Sequence, residues 1–201
     1  MEKEKEIEAL QDNAETQNQI LLVALKLFAE KGYFNTSLID IKTMLGMKTT
    51  SGIYQHFPNK QAIATTLYGN IMDSLSISID DIRRRNKKSS EQLREIVDLL
   101  FTLAHEAPDV MRFLLTLNLN EFLSQEKPPM QMPPNIKIIK VIQSGMSAGE
   151  IRNIDPLLAY AYFFGIIDTT LKFLLSGNLS KSVEVYQSQA WLTAWNTIVK
   201  K

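Results

Sequence analysis

Residues 49–60, TTSGIYQHFPNK, bring together three hydroxyls, a glycine, two aromatic rings, a histidine and a lysine. His56 could serve as a general base or metal ligand, Thr49, Thr50, Ser51 and Gln55 could meet the edges of nucleic-acid bases, or the stretch could be an ordinary solvated turn. Base or metal chemistry needs partners. The chain has two histidines, His56 and His105, nearly fifty positions apart, and no cysteine. The carboxylate nearest to His56 in sequence among residues 16–60, Asp40, stands at no recognised ligand spacing. There is also no glycine-rich phosphate loop and no G-x-S-x-G elbow. No enzyme activity, cofactor or metal site is therefore expected. Base reading and the ordinary turn both remain; for the first, small hydroxyls and Gln donate and accept in the major groove and threonine offers a methyl to thymine. Gly52 would let the backbone of such a reader come close to DNA, and Tyr54 and Lys60 suit phosphate contacts.

Such a set needs a helix to carry it and a core to fix that helix. Apolar residues recur at three and four along nearly the whole chain, and alternating strand patterns are almost absent, which predicts an all-α fold of about nine helices. The expected helices run over 16–31, 38–45, 49–57, 60–85, 90–106, 109–123, 135–147, 156–176 and 183–199. Gly32 and Gly46 stop the first two, Ser37 or Thr36 caps the second, Asn59 caps the fourth, and Asp40 stands three after Ser37 as in a capping box. The prolines of Glu126–Pro134 predict a loop. Helices two and three, short and joined through a glycine turn, have the proportions of a helix-turn-helix, with Leu27, Phe28, Leu38, Ile41, Leu45, Ile53 and Phe57 as its core.

Charge agrees with this placing. Lysine plus arginine (22) cancel aspartate plus glutamate (22), yet residues 16–60 hold five lysines against two acids, while residues 1–15 hold six acids against two lysines. The positive excess marks an anionic partner for the short helices. The chain begins without an apolar leader, and its most apolar run, Ala159–Leu175, is interrupted by Asp168 and Lys172, so a cytoplasmic location without a membrane partner is expected.

The run ILLVALKLFAEKGYFNTSLIDIKTMLG…GIYQHFPNKQAI, residues 20–63, resembles the N-terminal DNA-binding domain of the TetR family of transcriptional regulators. LFAEKGY closes the first helix, TS enters the second, and Tyr54, His56, Phe57 and Lys60 form the aromatic-x-His-Phe-x-x-Lys signature. The resemblance implies that the third helix reads operator DNA, that Tyr54 and Lys60 contact phosphates, and that Phe57 packs inside. With Ser37 and Lys48 flanking, the DNA-binding set is Ser37, Lys48, Thr49, Thr50, Ser51, Gly52, Tyr54, Gln55, His56 and Lys60. Eight steps separate Gly46 from Tyr54 where the family pattern has seven, so the turn is one residue longer and the base readers can shift by one position.

The expected organisation is an acidic tail (1–15), a helix-turn-helix domain (16–60) and a ligand-binding and dimerisation bundle (61–201) that includes the connecting helix 60–85. The resemblance extends to GEIRNIDP before helix eight and implies a homodimer through helices eight and nine, to which Phe163, Ile167, Leu171, Trp191 and Trp195 are assigned. It also implies a small-molecule effector in the bundle. Phe101, His105, Met111, Phe113, Met146, Tyr160, Tyr162 and Phe164 could line an apolar or amphipathic site, with His105, Asn118, Asn120 and Asp168 as its polar groups. A repressor released from double-stranded operator DNA by such an effector is the function these features favour. A helical ligand-binding or protein-interaction module that never meets DNA is the alternative.

Overall fold

The computed structural model describes residues 2–116, 118, 121–123 and 128–201, with side chains from residue 11 onward. Nine α-helices occur among them: α1 (Glu2–Lys31), α2 (Leu38–Met44), α3 (Ser51–Tyr54), α4 (Lys60–Arg85), α5 (Ser89–Glu106), α6 (Pro108–Thr116), α7 (Pro133–Ser147), α8 (Pro156–Leu175) and α9 (Val183–Ile198). They fall into two units, one of residues 1–69 with 117–124, the other of residues 70–116 with 125–201. The expected boundary at Lys60 thus moves into α4, whose first turns bury Ile63, Ala64, Leu67 and Tyr68. The acidic segment of the tail is continuous with α1.

In the first unit, local chemistry sets each helix end. Gly32 leaves α1 at φ +83 and Gly46 leaves α2 at φ +69, conformations that cost glycine least. The buried Thr36 hydroxyl donates to the carbonyls of Leu27 (3.2 Å) and Gly32 (2.9 Å), closing the end of α1. Ser37 is the N-cap of α2. Its Oγ accepts from the Asp40 amide at 3.1 Å, and Asp40 Oδ2 accepts from the Ser37 amide at 2.8 Å, a complete capping box. These Ser37 hydrogen bonds hold the Asp40 carboxyl below its usual range. Asn59 Oδ1 accepts from the Ala62 amide at 2.8 Å and caps α4.

In the second unit, one core gathers Ile79 and Ile82 of α4, Leu93, Ile96, Val97 and Phe101 of α5, Ile138, Val141 and Ile142 of α7, and the inner sides of α8 and α9. Contacts far apart in sequence fasten it. The Glu150 carboxylate, beyond the end of α7, accepts from the amides of Ser89 and Ser90 (each 3.1 Å) and from the Ser90 hydroxyl (2.5 Å), and so caps the start of α5. Burial works against its charge, but the bonds from Ser90 and Ser89 prevail and keep its pKa low. Lys137 of α7 donates to Asp80 and Ser76 of α4. Arg152 N–H donates to the Ile198 carbonyl and Lys200 N–H to that of Glu150, which ties the α7–α8 turn to the chain end. α8 is long and apolar enough to cross a membrane by length and composition, and its Ala159, Phe163, Phe164, Ile167 and Leu171 are buried in this core.

Gly145 marks the tightest of these junctions. A Cβ there would lie 2.7 Å from Ile151 Cδ1 and 2.9 Å from Ser89 Cβ. Gly145→Ala is expected to lower stability by about 1–3 kcal/mol, because the start of α5 must move away. Thermal unfolding checks this, and an unchanged midpoint would contradict it.

Several expected helix bounds change, and α1 starts at Glu2 rather than 16. Helix six ends at Thr116 rather than 123, and α3 is four residues long, although turn bonds continue it through Phe57 N–H to the Ile53 carbonyl. The described part of the expected loop Glu126–Pro134 forms a 3-10 turn at Pro129–Gln131 and the first turn of α7. Glu126 and Lys127 lie outside the described residues.

Candidate nucleic-acid interface

α3 is held from behind by Ile53 and Phe57, both buried, while Lys48, Thr49, Ser51, Tyr54 and Gln55 are exposed and Thr50 and His56 are half-buried. Five of the residues expected to meet DNA are therefore open to solvent. Thr50 occupies the N-cap position without making a side-chain cap bond, so its hydroxyl is not committed to the helix start. Tyr54 is 54% exposed, a large solvent-facing ring beside the polar residues. These side chains together offer donors, acceptors and a cation of the kind that phosphates and base edges require.

Gly52 lies on this helix with only Met47 near it. A Cβ would meet Met47 Sδ at 3.4 Å, an ordinary contact with a flexible side chain. The fold therefore does not demand glycine at 52. Gly52→Ala is expected to raise stability by about 0.5–1 kcal/mol through helix propensity, yet to weaken DNA binding if the backbone lies close to the duplex. Parallel unfolding and DNA titrations check the pair of effects. Undiminished DNA affinity would contradict the close approach, and loss of stability would contradict the open space at residue 52.

Two residues of the expected DNA set are engaged elsewhere. The Ser37 hydroxyl belongs to its capping box and donates to Asp40 Oδ2 at 2.5 Å. Lys60, expected to hold a phosphate, donates through Nζ to the carbonyls of Tyr33 (2.8 Å) and Thr36 (2.7 Å) and lies 4.3 Å from the centre of the Tyr33 ring. Burial lowers its pKa and the Glu121 charge opposes that effect. Its ammonium is thus a clasp between the α1–α2 turn and the start of α4. Spacing could not reveal this, since the accepting carbonyls lie far back in the chain.

The effector set divides. Phe101, Met111 and Phe164 are buried in the core of the second unit, with Met146 and Tyr160 packed against it. Tyr160 stacks on Phe164 at 4.7 Å and its hydroxyl donates to Asn135 Oδ1 at 3.2 Å. Phe113 is buried but stands outside that cluster. His105 and Tyr162 are exposed, so neither faces the core. Asn118 is exposed and belongs to the first unit, and Asn120 lies outside the described residues. Asp168 is half-buried, one turn from Phe164, and no hydrogen bond to its carboxylate occurs among the described residues. Burial raises its pKa to about 6, and Lys172 offsets this only in part. Among the described residues no group of three or more histidine or acidic side chains could hold a metal.

Of the expected dimer residues, three are interior to the chain and two are half-buried. Phe163, Ile167 and Leu171 are fully buried within one chain, and Trp191 and Trp195 stack on each other at 5.5 Å against the same core. The exposed apolar side of α8 is instead Leu158, Tyr162 and Phe173, with Val185 and Leu192 on α9. A groove of about 560 Å³ between these helices is lined by Gly165, Ile166, Thr169, Phe173, Gln189 and Thr193, among others. Sequence could not separate the sides, because α8 is apolar around most of its circumference.

Residues 20–67 match the family model described as bacterial regulatory proteins, tetR family. No curated protein matches the chain. Among solved structures, a TetR family transcription regulator from Marinobacter aquaeolei VT8 is similar at TM-score 0.79 and 19% identity, covering 95% of this chain and 99% of that one. The ketosteroid transcriptional regulator KstR2 of Mycobacterium tuberculosis has TM-score 0.73 and 19% identity, covering 92% and 95%. The transcriptional regulator FadR from Bacillus subtilis, solved in complex with stearoyl-CoA, has TM-score 0.68 and 20% identity, covering 88% and 96%.

Proposed function

We propose that this chain, with the fold of TetR-family transcription regulators and that family's domain at residues 20–67, is a ligand-responsive DNA-binding repressor acting as a homodimer. The observation that carries the reading is α3. A short helix anchored by Ile53 and Phe57 turns Lys48, Thr49, Ser51, Tyr54 and Gln55 to solvent within the segment that matches the tetR family model. Thr49, Thr50, Ser51 and Gln55 meet base edges, Tyr54 and Lys48 meet phosphates, and two copies bind half-sites about one helical turn apart.

The dimer forms on the outer side of α8 and α9, where Phe173 (51% exposed) and Leu192 (58% exposed) leave apolar surface in water. The effector is apolar or amphipathic and enters among Phe101, Met111, Tyr160, Phe164 and Asp168. The stearoyl-CoA complex of Bacillus subtilis FadR and the ketosteroid regulator KstR2 support that chemical class. These side chains pack closely, so entry parts them, and the effector releases DNA by preferring the parted arrangement. The protein works in the cytoplasm, where its DNA lies.

Footprinting on the DNA that flanks the protein's own gene tests this reading. Two protected half-sites with centres about 10 base pairs apart are expected, and added stearoyl-CoA or a ketosteroid serves as the first effector probe. Absence of protection at low salt, or featureless protection along the whole fragment, would contradict the repressor reading.

A further inference from the structure

The turn between α7 and α8 carries a cation with no counter-charge. Arg152 is exposed, and among the described residues its guanidinium takes part in no ion pair and no hydrogen bond. The two acids nearest to it in sequence are engaged at helix starts. Glu150 accepts from the amides of Ser89 and Ser90, and Asp155 accepts from those of Leu157 (2.8 Å) and Leu158 (3.0 Å). The backbone of Arg152 is nevertheless fixed: its N–H donates to the Ile198 carbonyl at 2.9 Å, and Ile151 pairs with Val199 in an isolated antiparallel bridge. What the guanidinium does meet is the face of Tyr162, 5.8 Å from the ring centre.

That pair lines a groove of about 660 Å³ between α8 and α9. Tyr162 and Asn196 are exposed there, and the hydroxyl of one and the side-chain amide of the other bond to no described residue. Ala161, Gly165 and Ile166 form its apolar wall. A Cβ on Gly165 would have nothing within 4 Å, so packing inside the chain does not call for glycine, and the wall stays open. No acidic side chain lines the groove among the described residues. Eleven residues of α8 separate Tyr162 from Phe173, roughly 16 Å along the helix, so the site lies well away from that exposed ring.

We propose that this groove is a ligand site, separate from the buried core around Phe101 and Phe164, for a small organic carboxylate with a short apolar chain. The planar guanidinium of Arg152 donates to both carboxylate oxygens. The Tyr162 hydroxyl and the Asn196 amide supply further donors, and the chain of the ligand lies along Ala161, Gly165 and Ile166. A neutral amphiphile leaves the guanidinium unanswered, and a cation meets a like charge. Because the Arg152 backbone is already pinned to the end of α9, little ordering is needed on binding. The site belongs to the second unit alone and needs no DNA, so it does not rest on the repressor reading.

Titration of the full chain with octanoate, followed through the amide resonances of Gly165, Asn196 and Thr197, tests the site. Saturable shifts are expected with octanoate, and binding of octan-1-ol about tenfold weaker or more. Arg152→Met breaks no side-chain bond within the chain, so its thermal midpoint should match wild type while octanoate binds about tenfold or more weakly. Tyr162→Phe keeps the ring under the guanidinium and removes the hydroxyl, for a loss of about two- to tenfold. Equal binding of octanol and octanoate, or an octanoate affinity untouched by Arg152→Met, would overturn the proposal. So would amides that octanoate does not move, together with weaker self-association of Arg152→Met in sedimentation, because the guanidinium would then serve a carboxylate of a second copy.

Discussion

Lys60→Met is expected to destabilise the first unit by about 2–3 kcal/mol, because hydrogen bonds to a charged group contribute roughly 1.5–3 kcal/mol each when part-buried and are not additive. Methionine keeps an unbranched stem out to the ε position and removes the ammonium with its donors. The carbonyls of Tyr33 and Thr36, which Lys60 Nζ serves at 2.8 and 2.7 Å, then lose their partner. The contact with the Tyr33 ring is lost as well. Lys60→Arg is expected to recover only part of the loss, since a planar guanidinium does not fit a site shaped for a compact ammonium. Urea unfolding followed by probes in the first unit measures the effect. A phosphate anchor behaves differently: stability stays constant, while the salt dependence of DNA binding weakens by about one ion. That second pattern would overturn the clasp.

Asp168→Asn is expected to stabilise the protein at neutral pH. The Asp168 pKa is raised from 3.8 to about 6 by burial, so the folded state holds a proton that the unfolded state releases between those values. Wild-type stability from this group is therefore fully present below about pH 4 and is lost as pH rises through about 6. The interval corresponds to at most about 3 kcal/mol, and solvent reaching a half-buried group lowers this to roughly 1–2 kcal/mol. The asparagine variant stays neutral throughout. Its unfolding midpoint should match wild type near pH 4 and exceed it at pH 7.5 by about 2–4 °C for each kcal/mol gained. Equal midpoints at both pH values would contradict the raised pKa. A carboxylate kept at a cost in stability suits a binding role, and under the repressor reading the same variant should respond less to any effector that donates a hydrogen bond there.

Features carried by neighbours in sequence were legible before the fold was known. The Ser37–Asp40 capping box, the Gly32 and Gly46 stops, the Asn59 cap and the exposed set around Tyr54 all depend on residues within a few positions of one another. What depended on distant partners was not legible. Lys60 looked free for phosphate because nothing local indicates the Tyr33 and Thr36 carbonyls. Glu150 gave no hint that it caps α5. Phe122 read as one more apolar position in a sixth helix, although that helix stops at Thr116. On α8 the difficulty was symmetry: with apolar residues on most sides, Phe163, Ile167 and Leu171 could not be told apart from Leu158, Tyr162 and Phe173 until neighbouring helices were in place.

Under the proposed function, α3 and the turn before it read DNA. Fluorescence anisotropy of the full chain, titrated into the duplex flanking its own gene and into a random duplex of equal length over a range of salt, tests it most directly. Binding is expected to weaken steeply with salt on both duplexes and to favour the flanking one by about 10³-fold or more. Equal affinity for the two duplexes, or no binding to either at low salt, would contradict it.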